Sequence, residues 1–243
     1  MPDESLGRSM KMAELAHYKE MHPTLFRVNH WINLIAMGLL VLSGIEIHYP
    51  VIPYAMGIAR GIHVFCGLVL IINCLVRIVA AFFVKSSPIG GTRETKLDVF
   101  NWLPQKYNRH QGIQWIKYYL FIKKDHPLTA KLGVPQKITY ILTGLAVLFM
   151  GYTGLCLWDV TMNVPIFQAF TMLVGGTMKL RVIHYCMMYY FICFTMIHGY
   201  LALIDGRALP RLMFLGRETA GMTQSTETWN FDGYDDLKGE AAK

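Results

Sequence analysis

Residues 184–198 read HYCMMYYFICFTMIH, with a histidine at each end of an apolar and aromatic run and no charged residue between them. Imidazole can take up a proton, bind a metal through a neutral nitrogen and donate a hydrogen bond from its other nitrogen. Ionisable rings in such an apolar stretch are costly and usually do work. On an α-helix, fourteen residues rise about 21 Å and make nearly four whole turns, so both rings leave one face, within about 40° of each other. One helix of this kind lines two stacked sites.

The elements that must position these rings are membrane spans. Of the 243 residues, 53% are hydrophobic and only 16% charged, against about a quarter charged in soluble domains; the mean hydropathy is +0.33. A bilayer crossing needs about 20 apolar residues, and four stretches qualify, near 28–48, 58–84, 134–158 and 180–204. The alternation of a membrane barrel is absent, and helices satisfy their own backbone in lipid. The sequence predicts an all-α integral membrane protein, a four-helix bundle. Its first span lacks a small-residue cleavage pattern, ending in GIEIHYP, and follows a mixed-charge tail, so it reads as uncleaved.

The formal net charge is +7, and its distribution sets the topology. Nine Lys and Arg lie in the loop 85–133, more flank the first and fourth spans, and the connections 49–57 and 159–178 have none. By the positive-inside rule both termini and the middle loop are cytoplasmic. The expected organisation is a cytoplasmic tail over 1–27, a membrane domain over 28–216 and a cytoplasmic tail over 217–243. Near 110–124 an amphipathic helix is expected along the membrane surface. Ile113, Ile116, Leu120 and Phe121 form its apolar stripe, with Trp115, Tyr118 and Tyr119 as anchors. The five cysteines form no CxxC or CxxCH pattern, which removes support for zinc, iron–sulfur and covalently attached haem.

Four of the nine histidines lie in spans: His30, His63, His184 and His198. Alternating span directions put His30 and His198 near the cytoplasmic face, and His63 and His184 near the outer one. Zinc would need four ligands, and no thiolate or carboxylate partners lie at those levels. A proton relay would need acids, and Glu46 is the one carboxylate clearly placed in a span. Haem iron needs two axial ligands and a flat apolar slot, which paired histidines supply. Haem is therefore the expected occupant of the paired sites. Gly44, fourteen residues after His30, and Gly67, one turn after His63, would let a porphyrin approach the backbone. Arg27, Arg60 and Arg181, each three residues before a histidine, read either as propionate partners or as snorkelling interface residues.

FRVNHWINLIAMGLLVLSG, ARGIHVFCGLVL, IKYYLFIKKDHP and GGTMKLRVIHYCMMYYFICFTMIHGYLAL together resemble the di-haem cytochrome b subunit of membrane-bound nickel–iron hydrogenases. The wider superfamily includes formate dehydrogenase gamma subunits and thiosulfate reductase cytochromes. The resemblance implies two b haems, with His30 and His198 holding the inner one and His63 and His184 the outer one. It further implies an iron–sulfur partner on the outer face, a catalytic hydrogenase subunit beyond it, and a quinone such as menaquinone accepting electrons near the cytoplasmic face. Related sequences carry an asparagine in the quinone region where span three begins. Here KLGVPQKITY keeps Gln136 but has Gly133 or Val134 in the asparagine's place, so Gly133 and Gln136 are the candidate quinone contacts. Gln136 after Pro135 also suits a helix entry.

Three other functions share parts of this pattern. A gamma-type cytochrome of a formate dehydrogenase has the same histidine plan, as does a stand-alone superoxide:quinone oxidoreductase. The basic middle loop and apolar outer loop favour partner docking over a self-contained enzyme. A cofactor-free anchor leaves the four matched histidines without a purpose. The primary catalytic site belongs to another subunit, and nucleic acid is not expected as a partner.

Overall fold

The computed structural model describes residues 18–87, 95–103, 111–122, 131–204 and 207–218. The described residues form α1 (Thr24–His48), α2 (Met56–Phe83), α3 (Gly112–Tyr119), α4 (Val134–Leu157), α5 (Pro165–Val174), α6 (Thr177–Ile204) and α7 (Ala208–Leu215). Two short strands, β1 (Lys85–Ser86) and β2 (Lys96–Leu97), pair antiparallel with Lys85 opposite Leu97. Helices α1, α2, α4 and α6 are long and apolar enough to cross a membrane. Even α4, the shortest at 24 residues, extends about 36 Å, beyond a hydrocarbon core of about 30 Å. The protein is an all-α, multi-pass membrane four-helix bundle.

Local chemistry sets the helix ends. Pro23 precedes α1, and its carbonyl accepts from Phe26 N at 2.9 Å. At the far end Tyr49 N still bonds to Ile45 O at 2.7 Å, but Pro50 has no N–H and biases Tyr49 away from helix. Glu46 then accepts from the backbone N–H groups of Val51 and Ile52 at 3.3 and 3.1 Å. The single carboxylate placed in a span by sequence thus caps the connection to α2. Pro165 opens α5. Gly175 and Gly176, at φ 99° and 100°, close it with bonds from Gly176 N to Thr171 O and Gly175 N to Met172 O. That double bond is a Schellman ending, which requires the left-handed conformation that glycine adopts without strain.

The chain divides into two compact units. The first consists of 28–78 and 142–205. Its core draws on all four long helices: Ala36 of α1, Cys66 and Leu70 of α2, Val147 of α4 and Phe191 of α6. Many outward-facing residues are large and apolar. Leu42, Phe65, Ile72 and Met196 are each at least 60% exposed, a distribution suited to lipid rather than water. Small residues sit where helices approach closely, as membrane packing favours. A Cβ on Gly151 of α4 would lie 2.5 Å from Ile71 Cγ1 of α2.

The second unit comprises 1–27, 79–141 and 206–243. At its centre Lys131 Nζ contacts Asp98 Oδ1 at 2.8 Å, both side chains being almost wholly buried. Ser86 Oγ donates to Asp98 Oδ1 and Trp102 Nε1 to Asp98 Oδ2. Asn101 Nδ2 and Lys131 Nζ both donate to Ser86 Oγ. The Lys131 ammonium also lies 5.4 Å from the Phe26 ring centroid. A backbone bond from Ser87 N to Glu20 O and a bond from Lys19 N to the Glu218 carboxylate oxygen Oε1 tie residues 19, 20, 87 and 218 together in this unit.

Helix α3 corrects one expectation. Ile113, Ile116, Leu120 and Phe121 are exposed as an apolar stripe, but Trp115 is only 2% exposed. It is a core residue of this unit and not a surface anchor, because Gly133 leaves room for its ring: a Cβ there would lie 3.0 Å from Trp115 Cζ2. His110 and residues 123–124, at the ends of the expected surface helix, lie outside the described residues, as do the tails before 18 and after 218.

Removing one partner of a buried ion pair strands the other charge. Lys131→Met should therefore cost about 3–5 kcal/mol, seen as a lower thermal unfolding midpoint in detergent. The double variant Lys131→Met/Asp98→Asn should recover most of that loss; equal loss in both would show that the charge pairing is not what matters.

Candidate functional site

The unit built from 28–78 and 142–205 brings the four span histidines together in two pairs. His63 of α2 faces His184 of α6 with ring centroids 6.1 Å apart and ring planes at 62°. His30 of α1 faces His198 of α6 at 6.5 Å and 48°. Two imidazole nitrogens bound to one metal from opposite sides, each at about 2.0 Å, set their ring centroids about 6.3 Å apart. Both pairs match that spacing. No group of three or more His, Cys, Asp or Glu that could hold a metal ion occurs among the described residues. Each pair brings two imidazole rings opposite each other with no third His, Cys, Asp or Glu beside them among the described residues.

Sequence and packing explain how each ring is held. On α1, Ser43 Oγ lies 3.0 Å from His63 Nδ1. The next residue, Gly44, would place a Cβ 3.4 Å from His63 Cε1 and 3.6 Å from Met188 Sδ. On α4, Thr153 Oγ1 lies 2.8 Å from His184 Nδ1, and a Cβ on Gly154 would lie 3.5 Å from His184 Cε1. Both hydroxyl residues are buried, Thr153 completely. On α6, Tyr190, Phe194 and His198 form a ladder one turn apart, with Phe194 and His198 stacked at 5.8 Å and 13°.

Beside His30 lies a buried amide cluster. Asn73 Nδ2 of α2 donates to Asn29 O at 2.9 Å and to Asn33 Oδ1 at 2.7 Å. Asn29 Nδ2 in turn reaches Asn73 O at 3.5 Å. These bonds cross between α1 and α2 one residue from a candidate ligand. Further along, the His48 ring stacks on Tyr185 at 4.0 Å and 14°, and Tyr185 and Tyr189 share a hydroxyl–hydroxyl bond of 2.6 Å.

The residues matched fall within a known family, whose pattern covers 21–215. The chain belongs to the prokaryotic cytochrome b561 family. It is accordingly a b-type membrane cytochrome that carries electrons, and members of this family bind b haems. No curated protein matches the sequence.

For this b561 family member the remaining expected site residues are placed as follows. Gly44 borders the His63 ring, whereas the open side of Gly67 faces Leu40 Cδ2 at 4.0 Å. Arg60 and Arg181 are exposed, one turn before His63 and His184. Arg27 lies in the other unit, where its Nε donates to Met213 O at 3.2 Å. In that unit Gly133 gives space to both Trp115 and the Gln136 side-chain oxygen. Gln136 Oε1 is buried and has no hydrogen-bond partner among the described residues.

Ser43, Thr153, Asn29, Asn33 and Asn73 are the site residues that sequence reasoning passed over. Their signal was present as small polar residues inside apolar spans, and Ser-Gly and Thr-Gly pairs recur in spans one and three. Asn73→Leu keeps the branched heavy-atom shape but removes both donated bonds. It should lower stability by about 1–2 kcal/mol, measured as the thermal midpoint of the purified protein; an unchanged midpoint would mean the cluster is idle.

Proposed function

We propose that His63 and His184 hold one b haem and His30 and His198 a second. On this reading the chain conducts electrons from the iron–sulfur subunit of a nickel–iron hydrogenase at the outer face to a quinone near the cytoplasmic face. The observation that carries it is the pair of facing histidine couples, each at the spacing that two axial ligands of one iron require. When bound, each haem supplies a one-electron iron centre.

The chain's own residues account for the rest. Neutral imidazoles in an apolar bundle provide nitrogen donors without adding charge. Gly44 and Gly154 keep side-chain bulk away from the His63 and His184 rings. Arg60 and Arg181 supply cations one turn from their histidines, suited to propionate carboxylates. On the quinone side, the buried amide oxygen of Gln136 is an acceptor suited to a quinol hydroxyl. The basic loops and neutral outer connections support the assigned sidedness, and the exposed apolar residues of α5, Ile166, Met172 and Leu173, suit contact with a partner or lipid.

A pyridine haemochrome assay with a reduced-minus-oxidised spectrum on the purified chain should give two b haems per chain. Absence of any b-type signal would overturn the reading. His184→Ala should leave one haem and abolish donor-to-quinone transfer, and His30→Ala should remove the other haem. Mass spectrometry of the gently solubilised complex should find hydrogenase subunits. Formate dehydrogenase subunits, or none with superoxide-dependent quinone reduction, would replace the hydrogenase assignment while leaving the haem sites standing.

A further inference from the structure

We propose that Ser43 and Thr153 are positioning residues that lock His63 and His184 in the tautomer with the proton on Nδ1, reserving Nε2 of each ring for the metal. The assignment rests on the proposed haem role of this pair and adds which nitrogen binds and what sets the ligand strength.

A hydroxyl has one hydrogen to donate and two lone pairs to accept with. Ser43 Oγ lies 2.6 Å from Leu39 O and 3.2 Å from Leu40 O. A carbonyl only accepts, so two oxygens 2.6 Å apart must share the serine hydrogen. Thr153 Oγ1 likewise lies 2.9 Å from Met150 O and gives its hydrogen there. Such bonds to the preceding helical turn are ordinary for Ser and Thr in membrane helices. What is particular here is the third atom, a histidine Nδ1 at 3.0 Å from Ser43 and at 2.8 Å from Thr153. With its own hydrogen committed, each hydroxyl can only accept, so each Nδ1 must carry a hydrogen and donate it. Nε2 is then the unprotonated nitrogen of each neutral ring.

The two halves of the site are built alike from different helices. Ser43-Gly44 of α1 serves His63 of α2, and Thr153-Gly154 of α4 serves His184 of α6. In each, the hydroxyl takes Nδ1 and the glycine next in sequence takes the Cε1 edge. All four long helices therefore converge on one pair of rings. A hydrogen bond from the outer nitrogen of a metal-bound histidine fixes ring orientation and raises ligand basicity. More basic ligands favour the ferric over the ferrous state, so the two hydroxyls hold the potential of this haem down.

Redox titration of the full-length protein, with both haems followed optically, tests the assignment. Ser43→Ala and Thr153→Ala should each make the same one of the two haems easier to reduce. A tenfold shift in its oxidation equilibrium would appear as about 59 mV for one electron. The affected haem is the one missing from His184→Ala. The other should keep its potential, and Ser43→Thr and Thr153→Ser, which keep the acceptor, should stay close to the parent. Thr153→Val and Ser43→Cys preserve volume while removing or weakening the acceptor, and they decide the matter if an alanine variant loses its haem. Two bound haems whose potentials ignore these substitutions, or substitutions that move different haems, overturn the tautomer lock alone. A parent protein without haem overturns both the lock and the function it rests on.

Discussion

In a membrane-spanning bundle, a polar ring nitrogen left without a partner costs several kcal/mol, and this chain places four histidines in its spans. The long helices are arranged so that each ring has another ring opposite it and, for His63 and His184, a hydroxyl behind it. Much of the sequence of the four spans follows from that need. Residues that would be weak points in a water-soluble core become the framework here: Ser43, Gly44, Thr153 and Gly154 around one pair, and Asn29, Asn33 and Asn73 beside the other.

Glycines and hydroxyl residues serve two ends at once in these helices. In lipid there is no large hydrophobic gain from bringing helices together, so association relies on close packing and interhelical hydrogen bonds. Gly151 admits Ile71 directly against the α4 backbone, while Gly44 and Gly154 admit imidazole edges. The same approach that holds helices together therefore opens the space beside the rings. Core residues such as Ala36 and Cys66 are small for the same reason, and large apolar side chains such as Leu42, Phe65, Ile72 and Met196 are turned outward.

The other unit answers a different problem. Asp98 and Lys131 are both buried, a costly arrangement unless the charges pair and every donor finds an acceptor. Ser86, Asn101 and Trp102 complete that set around the carboxylate and ammonium. Trp115, an interface residue by composition, is drawn into this unit because Gly133 leaves a gap for it. Amphipathic patterning identifies a helix with an apolar stripe, but it does not say which of its aromatic residues the rest of the chain will cover.

The number of spans, their ends to within four residues, and which histidines face each other were legible in the sequence. Those features depend on local quantities: apolar length, a fixed rise per residue, and alternating direction between spans. His184 and His198 share a face because helix geometry leaves no choice. Which side chains stand behind the rings depends instead on how each helix is rotated about its own axis and how closely it approaches its neighbours. Neither quantity is local. Ser43-Gly44 and Thr153-Gly154 could be read as dipeptides, but only packed helices bring their hydroxyls within 3.0 and 2.8 Å of a histidine nitrogen. The sequence alone determined that paired imidazoles would lie at two levels of a membrane bundle. Tertiary structure decided which nitrogen of His63 and His184 is held back, because a proton's position on an imidazole is set by the atom packed against it.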